Sequence, residues 1–322
     1  MRVSLIICTY NRHADLRRCL SSVLSQTVVP AEIIIVDSSD KEIQDEYADN
    51  KLIKYFHVTG EDCGLTRQRN RGLYEISRDS DIVSFIDDDV VLCDDYFEKI
   101  IGTFYKNPTC SGIGGVDLQT NAFVPINENE SNFNEVIDGW GRVWPKRYKA
   151  RLALGLISPT DRPGQNTSYM HARDMLPPSG FVYSVDHLVG CSMNYRTKDL
   201  GSQLFDEFFH GYGLYEDFDF SYRCKEAGGE LLIDTNARFH HYHSPNGRPN
   251  RFKYGRMVIR NGRYIWKRVN TTPTRGDRVK WYSINMLNII FPIMSSRTIL
   301  DFSQNISDAF GRIYELILPT GK

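Results

Sequence analysis

Unbroken apolar runs alternate with polar, helix-spaced segments along the first part of the chain. Val3-Ser4-Leu5-Ile6-Ile7-Cys8 reads as a central strand that ends at the polar turn Thr9-Tyr10-Asn11-Arg12. Leu16, Leu20, Val23 and Leu24 then recur at helical spacing. Glu32-Ile33-Ile34-Ile35-Val36-Asp37 is a second strand, stopping at Asp37 and the turn-forming Ser38-Ser39-Asp40. Lys54 to Val58 is a weaker third, and Gly64 to Ser77 reads as a turn followed by a basic helix. Asp81-Ile82-Val83-Ser84-Phe85-Ile86 is another strand, running into Asp87-Asp88-Asp89. This alternation predicts an α/β fold with a mostly parallel sheet and right-handed crossovers, in which ligands bind beyond the carboxyl ends of the strands. Thr9–Arg12, Asp37–Asp40 and Asp87–Asp89 stand at those ends and are expected to converge on one crevice.

From about 120 to 185 the pattern loosens, with Trp140, Trp144, Pro145, Pro159, Pro163, Pro177 and Pro178 among polar residues. Long loops and short helices covering a site are expected there, not an independent domain. Regular structure resumes at Val189-Gly190-Cys191-Ser192-Met193. A helix follows over Glu216 to Ala227, then a strand over Leu231–Asp234 and the segment Arg238 to His243. Beyond Pro249 the chain is basic and helix-compatible.

Composition narrows this picture only in places. The 322 residues allow about two domains, or one large α/β domain with an appendage. Apolar residues at 41% and charged residues at 25% are those of a folded chain. A formal charge of −1 gives no sign of nucleic-acid binding, but the sum hides an asymmetry. Residues 248–322 carry 14 Lys/Arg against 4 Asp/Glu, a net of +10, so residues 1–247 carry −11. Seven scattered cysteines without a CxxC pair point to neither a zinc site nor a disulfide framework. The apolar run at Val3 to Cys8 is too short for a signal peptide, and the 16 uncharged residues Trp281 to Ser296 are too few for a membrane span. A cytoplasmic location is expected.

Four groups of residues can carry chemistry. Three consecutive aspartates at a strand end repel one another unless exposure or a cation relieves them, so Asp87-Asp88-Asp89 is either a solvated turn or a site for Mn²⁺ or Mg²⁺. Glu216-Asp217 opens a helix, where a carboxylate is favoured as a cap and can also serve as a general base. In an extended segment His241 and His243 share one face while His240 takes the other, so the pair reads as structural or as metal-ligating. Arg67, Arg69 and Arg71 crowd a helix start and can neutralise phosphate or form a solvated basic face. No GxxxxGK[ST] or GxGxxG sequence is present.

Together these segments resemble the inverting family 2 glycosyltransferases of GT-A fold. The matching stretches are Val3 to Arg12, Ile35-Val36-Asp37-Ser38-Ser39, Gly64 to Gly72, Phe85-Ile86-Asp87-Asp88-Asp89 and Tyr215 to Arg223. The resemblance implies a Rossmann-like central sheet flanked by helices over residues 1–247. About 1–118 would bind the nucleotide-sugar and about 119–247 the acceptor, with 248–322 as a basic helical extension. It also implies that Thr9, Asn11, Arg12 and Asp37 hold the base and ribose of a UDP- or, next, dTDP-linked donor. Arg69 would lie near the phosphates, Asp87 and Asp88 on ribose or sugar, and Asp89 with His241 or His243 on Mn²⁺ or Mg²⁺. Asp217 would be the general base, with Gly190, Cys191 and Glu216 on the acceptor side. The acceptor would be a hydroxyl of a glycan or lipid-linked glycan. A nucleotidyltransferase and a non-catalytic carbohydrate-binding protein of the same fold are the competing readings.

The C-terminal section interleaves Arg251, Lys253, Arg256, Arg260, Arg263, Lys267 and Arg268 with Tyr254, Met257, Ile259, Tyr264, Ile265 and Trp266. Basic charge with an aromatic-apolar face is what an interfacial helix uses on anionic lipid, at roughly 1 kcal/mol per near-surface cation. The expectation is peripheral attachment to the inner face of the plasma membrane. A helical subdomain packed on the core, or a homodimer interface, is the alternative. Acceptor choice is expected to rest on residues 120–185, where Tyr169, His171 and Arg173 are candidates by polarity alone.

Overall fold

The computed structural model describes residues 1–127, 132–158, 161, 165 and 176–318. In chain order the elements begin β1 (Val3–Thr9), α1 (His13–Leu24), β2 (Glu32–Asp37), β3 (Ile53–His57), α2 (Leu65–Glu75), β4 (Ile82–Ile86) and β5 (Val90–Leu92). They continue as α3 (Tyr96–Lys106), β6 (Cys110–Asp117), β7 (Val124–Pro125), β8 (Glu135–Ile137), β9 (Trp140–Arg142), α4 (Lys146–Ala153), β10 (Val182–Val185) and β11 (Ser192–Arg196). Then follow α5 (Thr197–Leu200), α6 (Glu216–Glu226), β12 (Glu230–His241), α7 (Arg251–Val269), α8 (Arg275–Met294) and α9 (Ile299–Ile317). Two compact units result. One comprises Met1–Asn127, Val136–Gly141 and Met175–Gly247, the other Glu128–Glu135, Arg142–Asp174 and Arg248–Lys322.

The first unit is built on a sheet of order β10-β12-β6-β11-β4-β1-β2-β3. β3, β2, β1 and β4 run parallel, as their apolar runs predict. β11 is then inserted antiparallel between β4 and β6, and β12 runs parallel to β6, so the complete sheet is mixed. Successive residues of a strand point to opposite faces, and here both faces are covered. Leu5, Ile7, Ile33 and Ile35 pack with α1 and α3, through Leu16, Leu20, Phe97 and Phe104. Ile6, Ile34 and Val36 enter the opposite cluster with Phe205, Phe220 and Cys224. Such two-sided burial is why these strands read as unbroken rather than alternating hydrophobic runs.

β6, with the sequence Cys-Ser-Gly-Ile-Gly-Gly-Val-Asp, is a strand that hydropathy does not announce. Its glycines are there for close approach. A Cβ on Gly115 would stand 2.4 Å from the Ala237 carbonyl oxygen, and one on Gly112 2.7 Å from the Leu231 side chain. β12 is one continuous strand where the sequence reads as two pieces, because its register on β6 shifts between Ile233 and Arg238. Buried Asp234 in that shift accepts a hydrogen bond from the Thr103 hydroxyl at 2.5 Å. The C-terminal half of β12 pairs with β5, placing His241 opposite Val90.

The second unit is helical. Trp144, Tyr148, Leu152, Leu156 and Ile157, from the loosely patterned middle of the chain, cluster with Ile284 of α8. Ile259 and Trp266 of α7 meet Trp281 of α8 in a further cluster. The basic section forms three helices whose starts are capped by Asn250, by a Thr274–Asp277 capping box and by Thr298. No helix among the described residues is long and apolar enough to cross a membrane.

Glu32 ties the start of β2 to its neighbours, accepting hydrogen bonds from the Ser4 hydroxyl at 2.5 Å, the Lys54 ammonium at 2.6 Å and the Ser77 amide at 2.6 Å. Burial alone would raise its pKa, but these donors outweigh it and hold the carboxyl below its ordinary value of 4.5. A depressed carboxylate confers stability that is present above the unfolded pKa and lost as pH falls below it. Glu32→Gln is therefore expected to cost roughly 1–3 kcal/mol at neutral pH. It should also flatten the loss of stability below about pH 4.5, as read by thermal unfolding across a pH series.

Candidate active site

The ends of β1, β2 and β4 meet through their own polar side chains. The Thr9 hydroxyl donates to Asp88 at 2.7 Å, and the Arg12 guanidinium reaches Asp88 at 3.0 Å and Asp89 at 3.3 Å. Asn11 adopts a left-handed backbone (φ 55°), donates its amide to the Ser39 hydroxyl and exchanges side-chain hydrogen bonds with Asp40. Asp37 is fully buried and accepts from the Tyr55 hydroxyl at 2.6 Å, His13 Nε2 at 3.1 Å and the Ser39 amide at 2.7 Å. Thr9, Arg12, Asp37 and Asp88 thus bind one another's loops, while Asn11 is exposed at the lip. Burial pushes Asp88 up to about 7 against the pull of Arg12 and Thr9.

Asp87, Asp89 and His241 bring their ligand atoms within 4.8 Å of one another. Asp89 is buried, and its Oδ2 accepts from the Ser244 amide at 2.8 Å. Its Oδ1 lies 3.0 Å from His241 Nε2 without hydrogen-bond geometry, and has no hydrogen-bond partner among the described residues. Burial opposes both charges, yet each sustains the other, holding Asp89 low and His241 high. A buried carboxylate oxygen without a donor, a second carboxylate and an imidazole form a donor set that fits a hard divalent cation. The His243 ring lies 3.9 Å from that of His241, centroid to centroid, and is outside the three-residue group. His240, opposite Val91, points to the other side of the strand.

Arg69 joins this group to the start of α6. Its guanidinium donates to Glu216, to Asp87 at 3.1 Å and to the Gly190 carbonyl at 2.9 Å, and it lies 5.3 Å from the Phe205 ring centroid. It is buried, so of the three arginines on α2 it alone serves the site. Arg67 pairs with Glu207 and Arg71 with Glu75. Tyr215, with φ 74°, turns the chain sharply into α6. Asp217 then accepts from the Gly190 amide at 2.9 Å and the Phe218 amide at 2.8 Å. Burial pushes Glu216 up to about 8, with Arg69 opposing and Asp217 and Asp87 adding to the push. Glu216 Oε2 is buried without a partner among the described residues. Cys191, also buried, neighbours His241.

Three contributors are absent from the sequence reading. Tyr55 and His13 orient Asp37, and the Ser244 amide holds Asp89. Tyr55 lies on β3 directly opposite Ile35, a register that strand patterning supports once β3 is placed. The Ser244 amide carries no side-chain signal. Tyr169, His171 and Arg173 lie outside the described residues.

The model of the family described as Glycosyl transferase family 2 matches residues 4–171. Over 121 residues the chain is 33% identical to a glucosyl-dolichyl phosphate glucuronosyltransferase of Haloferax volcanii, a match covering 36% of this chain and 38% of that protein. Over 135 residues it is 27% identical to the O-antigen chain rhamnosyltransferase RfbN of Salmonella typhimurium, covering 42% and 43%. The matches thus span less than half the length of either relative. Among solved structures, GalNAc-T7 with UDP, GalNAc and Mn2+ is similar in fold, with a TM-score of 0.56 and 18% identity over 99% of this chain and 56% of that one.

Removing the cation from a buried ion pair strands its partners, at a cost of about 3–5 kcal/mol. Arg69→Met is expected to lower the melting temperature accordingly. Adding Glu216→Gln to that variant should recover part of the loss, since it removes a buried acid that has lost its donor. Differential scanning calorimetry of the two variants beside the parent chain checks both statements.

Proposed function

The chain belongs to glycosyl transferase family 2 and is a glycosyltransferase, and we propose that it moves a sugar, with inversion, from a UDP- or, second, dTDP-linked donor to a hydroxyl of a glycan or lipid-linked glycan. One observation carries the proposal: the Asp87–Asp89–His241 group and the Glu216–Asp217 pair stand on either side of a shared guanidinium, Arg69. UDP and Mn2+ in the GalNAc-T7 structure support the donor and metal assignments. The names of the two relatives support a lipid-linked or polysaccharide acceptor.

In this reading Asp87, Asp89 and His241 would hold Mn²⁺ or Mg²⁺. A bound divalent cation offsets the negative charge that develops on the departing diphosphate. Asn11, at the lip, takes the base and ribose, while Thr9, Arg12, Asp37 and Asp88 fix the loops around it. His243 backs the His241 ring. Asp217 accepts the proton of the acceptor hydroxyl while that oxygen bonds to the anomeric carbon. The bond from that carbon to the diphosphate breaks on the opposite face, and its electron pair leaves with the diphosphate. One displacement inverts the centre and needs no carboxylate nucleophile. The Gly190 and Phe218 amides fix the Asp217 carboxylate in position. Glu216, on the acceptor side with Gly190 and Cys191, is kept in place by Arg69.

Nucleotide binding stabilises the native state by mass action. UDP or dTDP is therefore expected to raise the melting temperature only with Mn²⁺ or Mg²⁺ present, and Asp89→Ala should abolish that rise. A shift that ignores both metal and mutation would overturn the donor site.

Asp217→Asn is expected to retain the metal-dependent shift and to lose about 10²–10⁴-fold in transfer rate. The assay follows label from the stabilising nucleotide's sugars onto a panel of glycans and polyprenyl-phosphate-linked glycans. Transfer by Asp217→Asn at the parent rate would remove Asp217 as the base.

A further inference from the structure

At 3.6 residues per turn, α9 sorts into two opposed stripes. Asp301, Asp308, Arg312 and Glu315 fall on one side, and Ile299, Phe302, Ile306, Phe310, Ile313 and Ile317 on the other. In a helix surrounded by water the apolar stripe turns inward. Here that order is inverted over most of the helix, although Asp301 is exposed and Ile306 and Ile313 are half-buried. Asp308 and Glu315 are buried, the first paired with Arg312 at 2.5 Å and the second with Arg256 of α7 at 3.2 Å. Ile299, Phe302, Phe310 and Ile317 are 89%, 49%, 61% and 70% exposed.

The contact between α9 and α7 is of a matching kind. A Cβ on Gly311 would stand 2.1 Å from the Phe252 carbonyl oxygen, and one on Gly255 2.1 Å from that of Asp308. The two backbones therefore touch at glycines and are held by ion pairs, an arrangement that works where apolar solvent gives helices no hydrophobic reason to associate. On α8, exposed Val279, Tyr282, Met286 and Ile290 form a second outward stripe, led by exposed Arg275 and Arg278. At the turn into α9, exposed Met294 and Leu300 flank exposed Arg297.

We propose that the outward faces of α8 and α9 dock on an anionic lipid bilayer, lying in its interface. The length and hydropathy of the helices fit that posture, since none among the described residues is suited to crossing. Charge selects lipid over a second copy of the chain. Exposed Arg275, Arg278 and Arg297 border the two stripes, a positive rim that an anionic leaflet complements and a two-fold partner, presenting the same rim, would repel.

The test is sedimentation of the full chain with vesicles of phosphatidylcholine alone or mixed with phosphatidylglycerol. Binding is expected to the anionic vesicles only and to weaken with salt. The double variant Phe310→Glu/Ile317→Glu should reduce it by about tenfold or more, because two charges would then enter the apolar layer. Both positions are exposed, so circular dichroism and the nucleotide-induced thermal shift should match the parent. Asp89→Ala, which removes donor binding, should sediment like the parent, so the two proposals fail separately. Failure of the parent to bind anionic vesicles, or equal binding by the double variant, would overturn the inference. So would a dimer in light scattering that the double variant dissociates while vesicle binding is absent.

Discussion

Burying a guanidinium that never releases its proton obliges the surrounding chain to supply negative charge, and Arg69 draws it from two directions. Asp87 arrives at the end of β4, early in the chain, and Glu216 at the start of α6, more than a hundred residues later. Both carboxylates share this one guanidinium. The same cation also donates to the carbonyl of Gly190, whose amide fixes Asp217. The strand-end aspartates and the start of α6 are therefore not two groups that happen to be close; they are one electrostatic cluster with a common centre.

The cluster is overloaded with acid. Asp87, Asp88, Asp89, Glu216 and Asp217 face Arg12, Arg69 and His241, and burial pushes two of the acids, Asp88 and Glu216, towards the neutral form. A fold with no use for such an excess would replace some of these groups, because buried like charges oppose folding. Retaining them is intelligible when a divalent cation takes up part of the charge.

How much of this was legible follows from what each residue touches. β1, β2 and β4 were readable because both sheet faces are covered, which leaves long apolar runs in the sequence. β6 was not, since its glycines serve the close approach of Leu231 and Ala237 and give no hydropathic signal. The aspartates at the strand ends were legible as a group. Which way each one turns was not, because a polar residue after a strand looks the same whether it meets solvent or, like Asp37, a tyrosine on the neighbouring strand. His241 and His243 share a face by alternation, and only the pairing of His241 with Val90 sets it beside Asp89. The basic-apolar mixture of the last helices was visible, but not that α9 wears its charges on the inside.

The position of β11 has a consequence for the growing chain. β4 is complete at Ile86, yet the strand that covers its free edge begins only at Ser192. At about 5–20 residues per second, that edge waits on the order of ten seconds during synthesis. Throughout that interval Ile82, Val83, Phe85 and Ile86 present unpaired backbone and apolar side chains, the combination that invites pairing with foreign strands. Newborn molecules of this protein thus pass through a stage at which one edge of the half-built sheet is open to capture.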